Sequence, residues 1–444
     1  LSTNALIVTG KHPARSAQEL ATLAQKSPQP MRYFSPGNGT SQHLSAVLFG
    51  IVAQATQHGR LATLTLLPLF LGRPIDGFVA ALVSFVLYEA AYFCEIIRAG
   101  IQAIPLIAEQ AAQLTVFQRT ANYTIPAHNR PLDPAYVKKI KASYPEMRRR
   151  AKTKPAGIDF EINPASAIET PLKERTARYQ ERWDYGGLGF MASFSDLLLN
   201  DESNRTAQDF VKARIREIVK DPETAEVLTP RNIIGCKRLC VDTGYWATFN
   251  RPNVTLVDIR DQPIERILPD GVRARGKDWK FDCLVLATGF DAMTGALLKV
   301  DFRGRSGVRL KEKWSEGPKT YLGLTVVGFP NLFTITGPGS PSVLTNMLPS
   351  IEQHVDFITD CLVSLREKGI RVIEPTEQAQ DDWVRHVGEV AGYTMRSTCS
   401  SWYVGANIPG KPQVFMPYIG GLPAYIQRCE AVVRNGYEGF ALGA

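Results

Sequence analysis

The alternation of apolar and polar positions predicts strands and helices along most of the chain. Residues Cys283 to Ala287 are apolar and rich in branched side chains, which predicts a buried strand. Thr288-Gly289 follows this strand, and the glycine allows the backbone to turn or to approach a ligand closely. Residues 331–336 predict a second strand, which runs into the rigid turn Gly337-Pro338-Gly339-Ser340-Pro341.

A long helix is predicted directly after this glycine turn, which comprises residues 337–341. Apolar residues recur there at near-helical spacing, so that one face is expected to lie on a core. The members of this face are Val343, Met347, Ile351, Val355, Ile358, Leu362 and Leu365. A strand, a glycine turn and a helix N-terminus together predict a cradle for an anionic cofactor, because amide groups face phosphate at such positions.

A second strand–helix pattern lies upstream. Ile101 to Ala112 predict a helix, and Leu114 to Phe117 predict a short strand that ends in Gln118-Arg119-Thr120. A basic residue at the end of the second strand of a Rossmann unit is placed to meet a 2′-phosphate, so Arg119 and Thr120 are candidates for selecting NADPH. A surface arginine after a strand is the alternative. Returning strands are predicted at 253–258, 263–265 and 271–272.

The middle of the chain is predicted to be helical and charged over residues 133–200, with a break at Pro155-Ala156-Gly157. The glycines of 186–189 predict a structural turn, since no clear strand precedes them and no GK[ST] follows. Lys237-Arg238 follow Gly235 and precede a strand-like LCV, which places two cations in a loop. Without further context, both would be expected to be solvated.

The N-terminal region differs in composition. Residues 61–72 and 77–88 are two uncharged apolar stretches, each shorter than the roughly 20 residues that cross a bilayer. Extension of the second stretch to Cys94 reaches a spanning length but includes Glu89. Membrane association through 61–94 therefore stays open. Residues 1–59 indicate no function.

Composition narrows the class of protein only modestly. The 444 residues are 44% apolar and 21% charged, which is ordinary for a globular protein of two or three domains. The net charge of +8 includes a basic cluster over 138–154. Because aromatic residues do not interleave with it regularly, we predict a solvated helix face and no nucleic-acid partner. Part of this charge can attract a phosphorylated dinucleotide.

Cysteine and histidine usage argues against metals and disulfide frameworks. Seven cysteines and six histidines are dispersed, and Cys236 and Cys240 lack a second ligand pair at metal spacing. We therefore expect no metal site. Scattered cysteines suit a reducing compartment, and we predict a cytoplasmic location.

Three stretches resemble a known family: FDCLVLATGFDAMTGALLKVDFRGR, GPKTYLGLTVVGFPNLFTITGPGSPSVLTNM and SIEQHVDFI. They are similar to the flavin domain of Baeyer–Villiger monooxygenases of the cyclohexanone monooxygenase type, and the resemblance extends from about Gly100 to the C-terminus. It implies an α/β fold with two dinucleotide-binding, Rossmann-like domains and the cofactors FAD and NADP(H). It also implies that NADPH reduces FAD, that O2 is held as a C4a-peroxyflavin, and that a ketone becomes an ester or lactone.

The resemblance also implies site residues. It assigns Arg238 to catalysis, Lys237 to the 2′-phosphate of NADP, and Trp402 to a segment that folds over the nicotinamide, with Asn407 and Lys411 in the same stretch. The full set of cofactor-binding residues is Gly100, Gln102, Arg119, Thr120, Lys237, Thr288, Gly289, Gly337, Pro338, Ser340, Asn346 and Trp402.

A different resemblance covers about residues 60–105. GFVAALVSFVLYEAAYFCEIIRAGIQAIP is similar to the permease subunit of bacterial polar amino-acid ABC transporters. The hexapeptide GIQAIP at 100–105 fits both families, so we interpret the chain as a chimera with its junction there. The predicted domains are 1–98, permease-like or unassigned; 99–275, NADP-binding, with a helical insertion at about 133–230; and 276–444, the C-terminal part of an FAD-binding domain.

Several motifs of the monooxygenase family are missing. When the NADP motif G-x-G-x-x-G is aligned on Gly100, its first two glycines fall on Glu95 and Ile97, and a carboxylate there opposes pyrophosphate. The N-terminal FAD motif and the F-x-G-x-x-x-H-x-x-x-W-P fingerprint are not found. Because the chain also begins at Leu1, we expect a fragment or an internal reading with an incomplete sheet and impaired activity. The alternatives are a membrane-associated permease fragment fused to an inactive passenger, and a module that binds only NADP(H) through Arg119 and Lys237.

Overall fold

The computed structural model describes residues 101–287 and 291–443, which belong to one compact unit. The predicted membrane segment at 61–94 lies outside these residues, and so do Gly100, Thr288 and Gly289. Within the described ranges, no helix combines the length and the apolar character that a bilayer crossing requires.

Two parallel strand pairs organise the first part of the unit. Helix α1 covers 101–110 and leads into β1 (Leu114–Gln118), which pairs in parallel with β4 (Val254–Asp258). The side chain of Asn253 donates from Nδ2 to the carbonyls of Ala108 and Ala111, both at 2.9 Å, so it joins the end of α1 to the start of β4. The predicted helix and the predicted strands at 114–117 and 253–258 are confirmed.

Helices occupy most of the sequence between these strands, as expected, with the predicted break at 155–157. Asp133, Asn200 and Asp221 each cap a helix by accepting a backbone N–H, as short polar side chains do at N-termini. The elements are β2 (Thr124–Pro126), α2 (Pro134–Ala142), α3 (Tyr144–Lys152), α4 (Leu172–Tyr185), a 3₁₀ turn at Leu188–Ala192, α5 (Asp201–Ile218), α6 (Pro222–Leu228), β3 (Cys240–Asp242), which is parallel to β2, and α7 (Tyr245–Thr248).

An aromatic cluster forms the core of this region. Trp183 on α4 stacks on Trp246 of α7 with ring centroids 6.0 Å apart, and Tyr179 packs against Phe190 at 5.5 Å. Aromatic pairs of this kind add about 1 kcal/mol each beyond the burial of their surface. The long helices are thereby fixed to the β2–β3 pair.

A three-stranded antiparallel meander follows. Its strands are β5 (Ile264–Leu268), β6 (Gly271–Ala274) and β7 (Lys277–Lys280). A Cβ at Gly271 would lie 1.9 Å from the carbonyl oxygen of Trp279, so only glycine fits at this crossing. The predicted returning strands are confirmed.

The C-terminal part packs around a second core. Trp383, Tyr418 and Tyr425 meet there with centroids 5.3–6.2 Å apart. Its elements are α8 (Gly295–Leu298), α9 (Leu310–Lys313), a 3₁₀ turn at Ser342–Leu344, α10 (Met347–Glu367), β8 (Val372–Pro375), α11 (Glu377–Gly392), 3₁₀ turns at Met395–Thr398 and Trp402–Val404, α12 (Leu422–Arg434) and β9 (Phe440–Gly443), which is antiparallel to β8.

The predicted buried strand at Cys283–Ala287 is wrong. These residues form no strand, and the side chains of Val285 and Leu286 are 63% and 69% exposed. A strand needs a hydrogen-bonded neighbour on at least one edge, and no described strand pairs with this run. Its apolar character therefore did not suffice to bury it.

The predicted strand at 331–336 is also wrong. Asn331 donates its N–H to Ile373, and Thr334 donates to Leu324, so successive residues bond to different segments instead of forming one ladder. The helix after the glycine turn begins at Met347, because residues 342–344 form a 3₁₀ turn first. On that helix Leu362 is exposed, whereas His354 lies on the buried face.

Candidate functional site

A buried asparagine of α5 positions the two cations. Asn204 donates from Nδ2 to the carbonyls of Leu197 at 2.6 Å and Ile234 at 2.9 Å, and its Oδ1 accepts the N–H of Ile234 at 3.1 Å. Ile234 directly precedes residues 235–238, here called the cation loop. The loop thus begins from a hydrogen-bonded point in the core, which the sequence did not reveal.

Gly235 turns the cation loop with a φ of +85°. A Cβ there would lie 2.8 Å from Leu198 Cδ2 and 3.0 Å from Met191 Cε, whereas a Cβ at Gly244, with φ +79°, would meet nothing within 4 Å. Left-handed backbone costs a non-glycine residue about 1 kcal/mol at either position.

We expect Gly235→Ala to lower the free energy of unfolding by about 2 kcal/mol and Gly244→Ala by about 1 kcal/mol, since only the first adds a steric clash. Urea unfolding followed by far-UV circular dichroism measures both. Equal losses would mean that Leu198 and Met191 yield without cost.

Arg119 and Lys237 lie close enough for their charges to interact. Burial of the Lys237 ammonium lowers its pKa, and the positive charge of Arg119 lowers it further. Arg119 and the following Thr120 are exposed at the end of β1, whereas Lys237 is half-buried. Two cations this close to each other suit a multiply charged anion.

Arg238 joins the cation loop to the residues after the glycine turn. Its Nη1 donates to the carbonyl of Val343 at 3.2 Å. The neighbouring Ser342 places its hydroxyl 3.7 Å from Met293 Sδ. Arg238 therefore lies beside Val343, whose neighbour Ser342 approaches Met293.

The stretch of residues 395–411, here called the Trp402 segment, is tied to Asp291 and Ala292. The Lys411 ammonium forms an ion pair with Asp291 and also donates to the carbonyl of Ala292 at 3.3 Å. The side chain of Lys411 is only 11% exposed. Asp291 is 33% exposed, so this partly buried pair holds the end of the segment. The sequence placed Lys411 in this segment but did not predict its partner.

Trp402 lies half-buried with its ring 4.3 Å from that of Tyr403. Its indole Nε1 is buried and has no hydrogen-bond partner among the described residues, and neither does the hydroxyl of Ser401. Buried donors are usually paired, so these two groups are available to a polar ligand at this segment.

The predicted flavin residues of the glycine turn are held by the protein itself. Ser340 is fully buried, its hydroxyl donates to the carbonyl of Gly337 at 2.8 Å, and the carbonyl of Pro338 accepts from Thr320 at 2.6 Å. A Cβ at Gly339 would lie 2.8 Å from the Thr320 hydroxyl. Close packing within the domain therefore explains these residue types without a ligand.

Backbone strain brackets the glycine turn. Thr336 and Ser342 have φ angles of +56° and +43°, although neither is glycine. Such residues cost about 1–3 kcal/mol each and cluster at ligand-binding sites. His354 stabilises the first of them, because its Nδ1 accepts the N–H of Thr336 at 2.9 Å.

Two further predicted residues have structural partners. Gln102 donates from Nε2 to the carbonyl of Val241 at 3.3 Å, and Asn346 caps α10 by accepting the N–H of Leu348 at 3.3 Å. The structure thus brings Arg119, Lys237 and Arg238 into one neighbourhood. Gly100, Thr288 and Gly289 lie outside the described residues.

Metal ligation finds no support in the described ranges, where no three or more His, Cys, Asp or Glu side chains are grouped to hold an ion. The side chains of Arg119, Lys237 and Arg238 are cationic, which suits anions and dinucleotides.

Comparison with known proteins shows which proteins this chain is similar to. No family model matches the chain. It is 40% identical over 342 residues to a Baeyer–Villiger monooxygenase of Pseudooceanicola batsensis, a match that covers 76% of this chain and 62% of that protein. It is 39% identical over 346 residues to cyclohexanone 1,2-monooxygenase of an Acinetobacter species, covering 77% and 63%. The chain is a homologue of Baeyer–Villiger monooxygenases.

Comparison with solved structures shows the same similarity to monooxygenases. An oxidised steroid monooxygenase bound to NADP is 46% identical with a TM-score of 0.73, and OTEMO in complex with FAD and NADP is 36% identical with a TM-score of 0.75. These alignments cover 78% of this chain and 65% and 64% of those chains. Over the aligned residues, the chain has the fold of the corresponding part of these monooxygenases. The chain thus spans somewhat less than two thirds of its relatives, and the permease resemblance at 60–105 gains no support from these matches.

Proposed function

We propose that this chain acts as a Baeyer–Villiger-type monooxygenase polypeptide, which uses FAD, NADPH and O2 to convert a ketone into an ester or lactone. The observation that carries the proposal is the cation loop, where Lys237 faces Arg119 and Arg238 reaches the residues after the glycine turn. Homology supplies the reaction class.

The residues fit NADP(H). Arg119 and Lys237 repel each other, and a 2′-phosphate between them would relieve that repulsion and the cost of burying the ammonium. The unpartnered indole N–H of Trp402 supplies a donor for the same ligand. In this proposal the two cations select NADPH over NADH, and Trp402 covers the bound dinucleotide.

The glycine turn fits FAD through its strained flanks. Thr336 and Ser342 hold left-handed backbone on both sides of it, which supports a ligand-shaped surface. When bound, FAD supplies the redox chemistry and the activation of O2. The protein contributes position and electrostatics. Arg238 carries a permanent positive charge and is suited to stabilise the oxyanion that develops on the ketone oxygen.

A module that only binds NADP(H) is the second candidate, and one observation favours it. Val285 and Leu286, next to the predicted flavin residues, are largely exposed and belong to no sheet. In this alternative the cation loop functions, while the flavin site is incomplete.

Flavin retention separates the two functions. We expect the purified chain, after incubation with FAD and gel filtration, to co-elute with yellow flavin absorbance and to oxidise NADPH faster when a cyclic ketone is added. A colourless protein that still binds NADPH would overturn the monooxygenase proposal and establish the binding module.

Arg238→Ala tests the role of the guanidinium. We expect it to lower ketone-dependent turnover by about 100-fold or more, as the loss of one oxyanion-stabilising group does, while NADPH affinity stays within about 3-fold. Ester formation measured by gas chromatography is the readout. Arg231→Ala, an exposed arginine just before the cation loop, is the matched control and should keep full turnover.

A further inference from the structure

Two buried cysteines meet between the cation loop and the Trp402 segment. Cys236 and Cys399 are 2% and 8% exposed, and both are free thiols. The side chains of Cys236 and Cys399 lie close enough for each to change the pKa of the other. The sequence had suggested only that the cysteines are scattered, so this contact is a product of the fold.

The backbones around the two cysteines are held together independently of the thiols. Arg396 donates from Nε to the carbonyl of Gly235 at 2.9 Å, directly before Cys236. Its guanidinium also lies over the ring of Tyr403, 5.8 Å from the centroid. Cys399 Sγ stands 3.4 Å from the carbonyl of Met395. The approach of the sulfurs therefore does not depend on two mobile side chains.

The surroundings make one sulfur the better nucleophile. Contact with the Cys399 side chain and the charge of Lys237 lower the pKa of Cys236, while the same contact and burial raise the pKa of Cys399. A thiolate is the reactive form of cysteine, and an adjacent thiol can resolve its oxidised product. Cys236 is thus the attacking sulfur and Cys399 the resolving one.

We propose that Cys236 and Cys399 form a reversible disulfide when a hydroperoxide reaches them, and that this bond locks the cation loop to the Trp402 segment. With hydrogen peroxide, the Cys236 thiolate attacks one oxygen, the O–O bond breaks, and the leaving hydroxide takes up a proton to give water. The Cys399 sulfur then attacks the sulfenic acid of Cys236, the S–S bond forms and a second water leaves. Two thiols are oxidised and one peroxide is reduced.

The bond would join two segments that carry ligand-facing residues. Lys237 follows Cys236 directly, and Trp402 lies three positions after Cys399. In the oxidised form their separation is fixed, whereas in the reduced form the hydrogen bonds of Arg396 are the main tether. The readout below uses neither NADPH nor FAD, so it is independent of the proposed function.

Peptide mapping tests the bond directly. The chain carrying Cys94→Ser and Cys283→Ser is treated with hydrogen peroxide, alkylated and digested with trypsin without reduction, because exposed Cys283 could otherwise cross-link two molecules. Trypsin releases Cys236 in peptide 232–237 and Cys399 in 397–428, since the bond before Pro412 resists cleavage. We expect these two peptides to appear joined and to separate on treatment with dithiothreitol.

Single cysteine substitutions test which two sulfurs form the bond. Cys236→Ala and Cys399→Ala should each abolish the joined peptide, while Cys361→Ala, which removes a buried thiol of α10, should leave it intact. The proposal is overturned if the mapped chain shows Cys236 joined to peptide 239–260, which carries Cys240, oxidised to sulfinic acid without a bridge, or unmodified. This mapping requires no variant at either sulfur, so a misfolded variant does not affect it.

Discussion

Replacement of Lys237 by alanine is expected to weaken the binding of NADPH by about 100-fold and to leave the binding of NADH unchanged. The loss of one partner of a desolvated charge contact with phosphate costs about 3 kcal/mol, which corresponds to that factor. NADH lacks the 2′-phosphate and therefore gains nothing from Lys237. Its neighbour Arg119 would keep a weaker, more salt-sensitive attraction, because it is exposed.

Isothermal titration calorimetry with both dinucleotides measures this difference. Lys220→Ala removes an exposed lysine that follows α5, and it should bind NADPH like the wild type. A parallel loss of NADH affinity in Lys237→Ala would mean that Lys237 supports the fold of the cation loop and does not contact the 2′-phosphate. If neither the NADPH affinity nor the NADH affinity falls, the 2′-phosphate binds at a different position.

His354 is expected to make the protein labile in mild acid. Its ring is fully buried on α10, and burial lowers its pKa from 6.5 to about 3. Nδ1 accepts the N–H of Thr336, so the ring is neutral with its proton on Nε2. Protonation would break this bond and release the strained residue before the glycine turn.

The sign of the effect follows from proton binding. Between pH 6.5 and about 3 the unfolded chain holds one more proton on His354 than the folded chain does. The free energy of unfolding therefore falls as pH falls through this window, by up to about 1.4 kcal/mol per pH unit and about 5 kcal/mol in total. Above pH 6.5 this contribution is constant.

Urea unfolding at a series of pH values tests the prediction. His354→Asn keeps an acceptor for the N–H of Thr336 without a titratable ring, so it should lose most of the slope even if its overall stability is lower. His386→Asn, which alters a histidine packed against Trp383 and Tyr418, should keep the slope. An unchanged slope in His354→Asn would contradict the assignment.

Local patterns predicted the elements that form through their own backbone or through nearby neighbours. Helix α1, strands β1 and β4, the first two strands of the meander and the helices between 134 and 185 lie where the sequence pattern placed them, whereas β7 was not predicted. These elements satisfy most of their hydrogen bonds internally or with one regular partner, so the local signal suffices. The residues of the cation loop were likewise identified from the sequence, through the family resemblance.

Contacts between residues that are distant in the sequence decided the features that local patterns did not predict. The run Cys283–Ala287 has the composition of a buried strand, yet it lies exposed because no described strand pairs with it. The contacts of Lys411 with Asp291, of Asn204 with Ile234 and of Cys236 with Cys399 join residues distant in the sequence. Periodicity reports which face of an element is apolar but not which segment will cover it. Only the tertiary structure therefore showed how the cation loop is held and which groups face it.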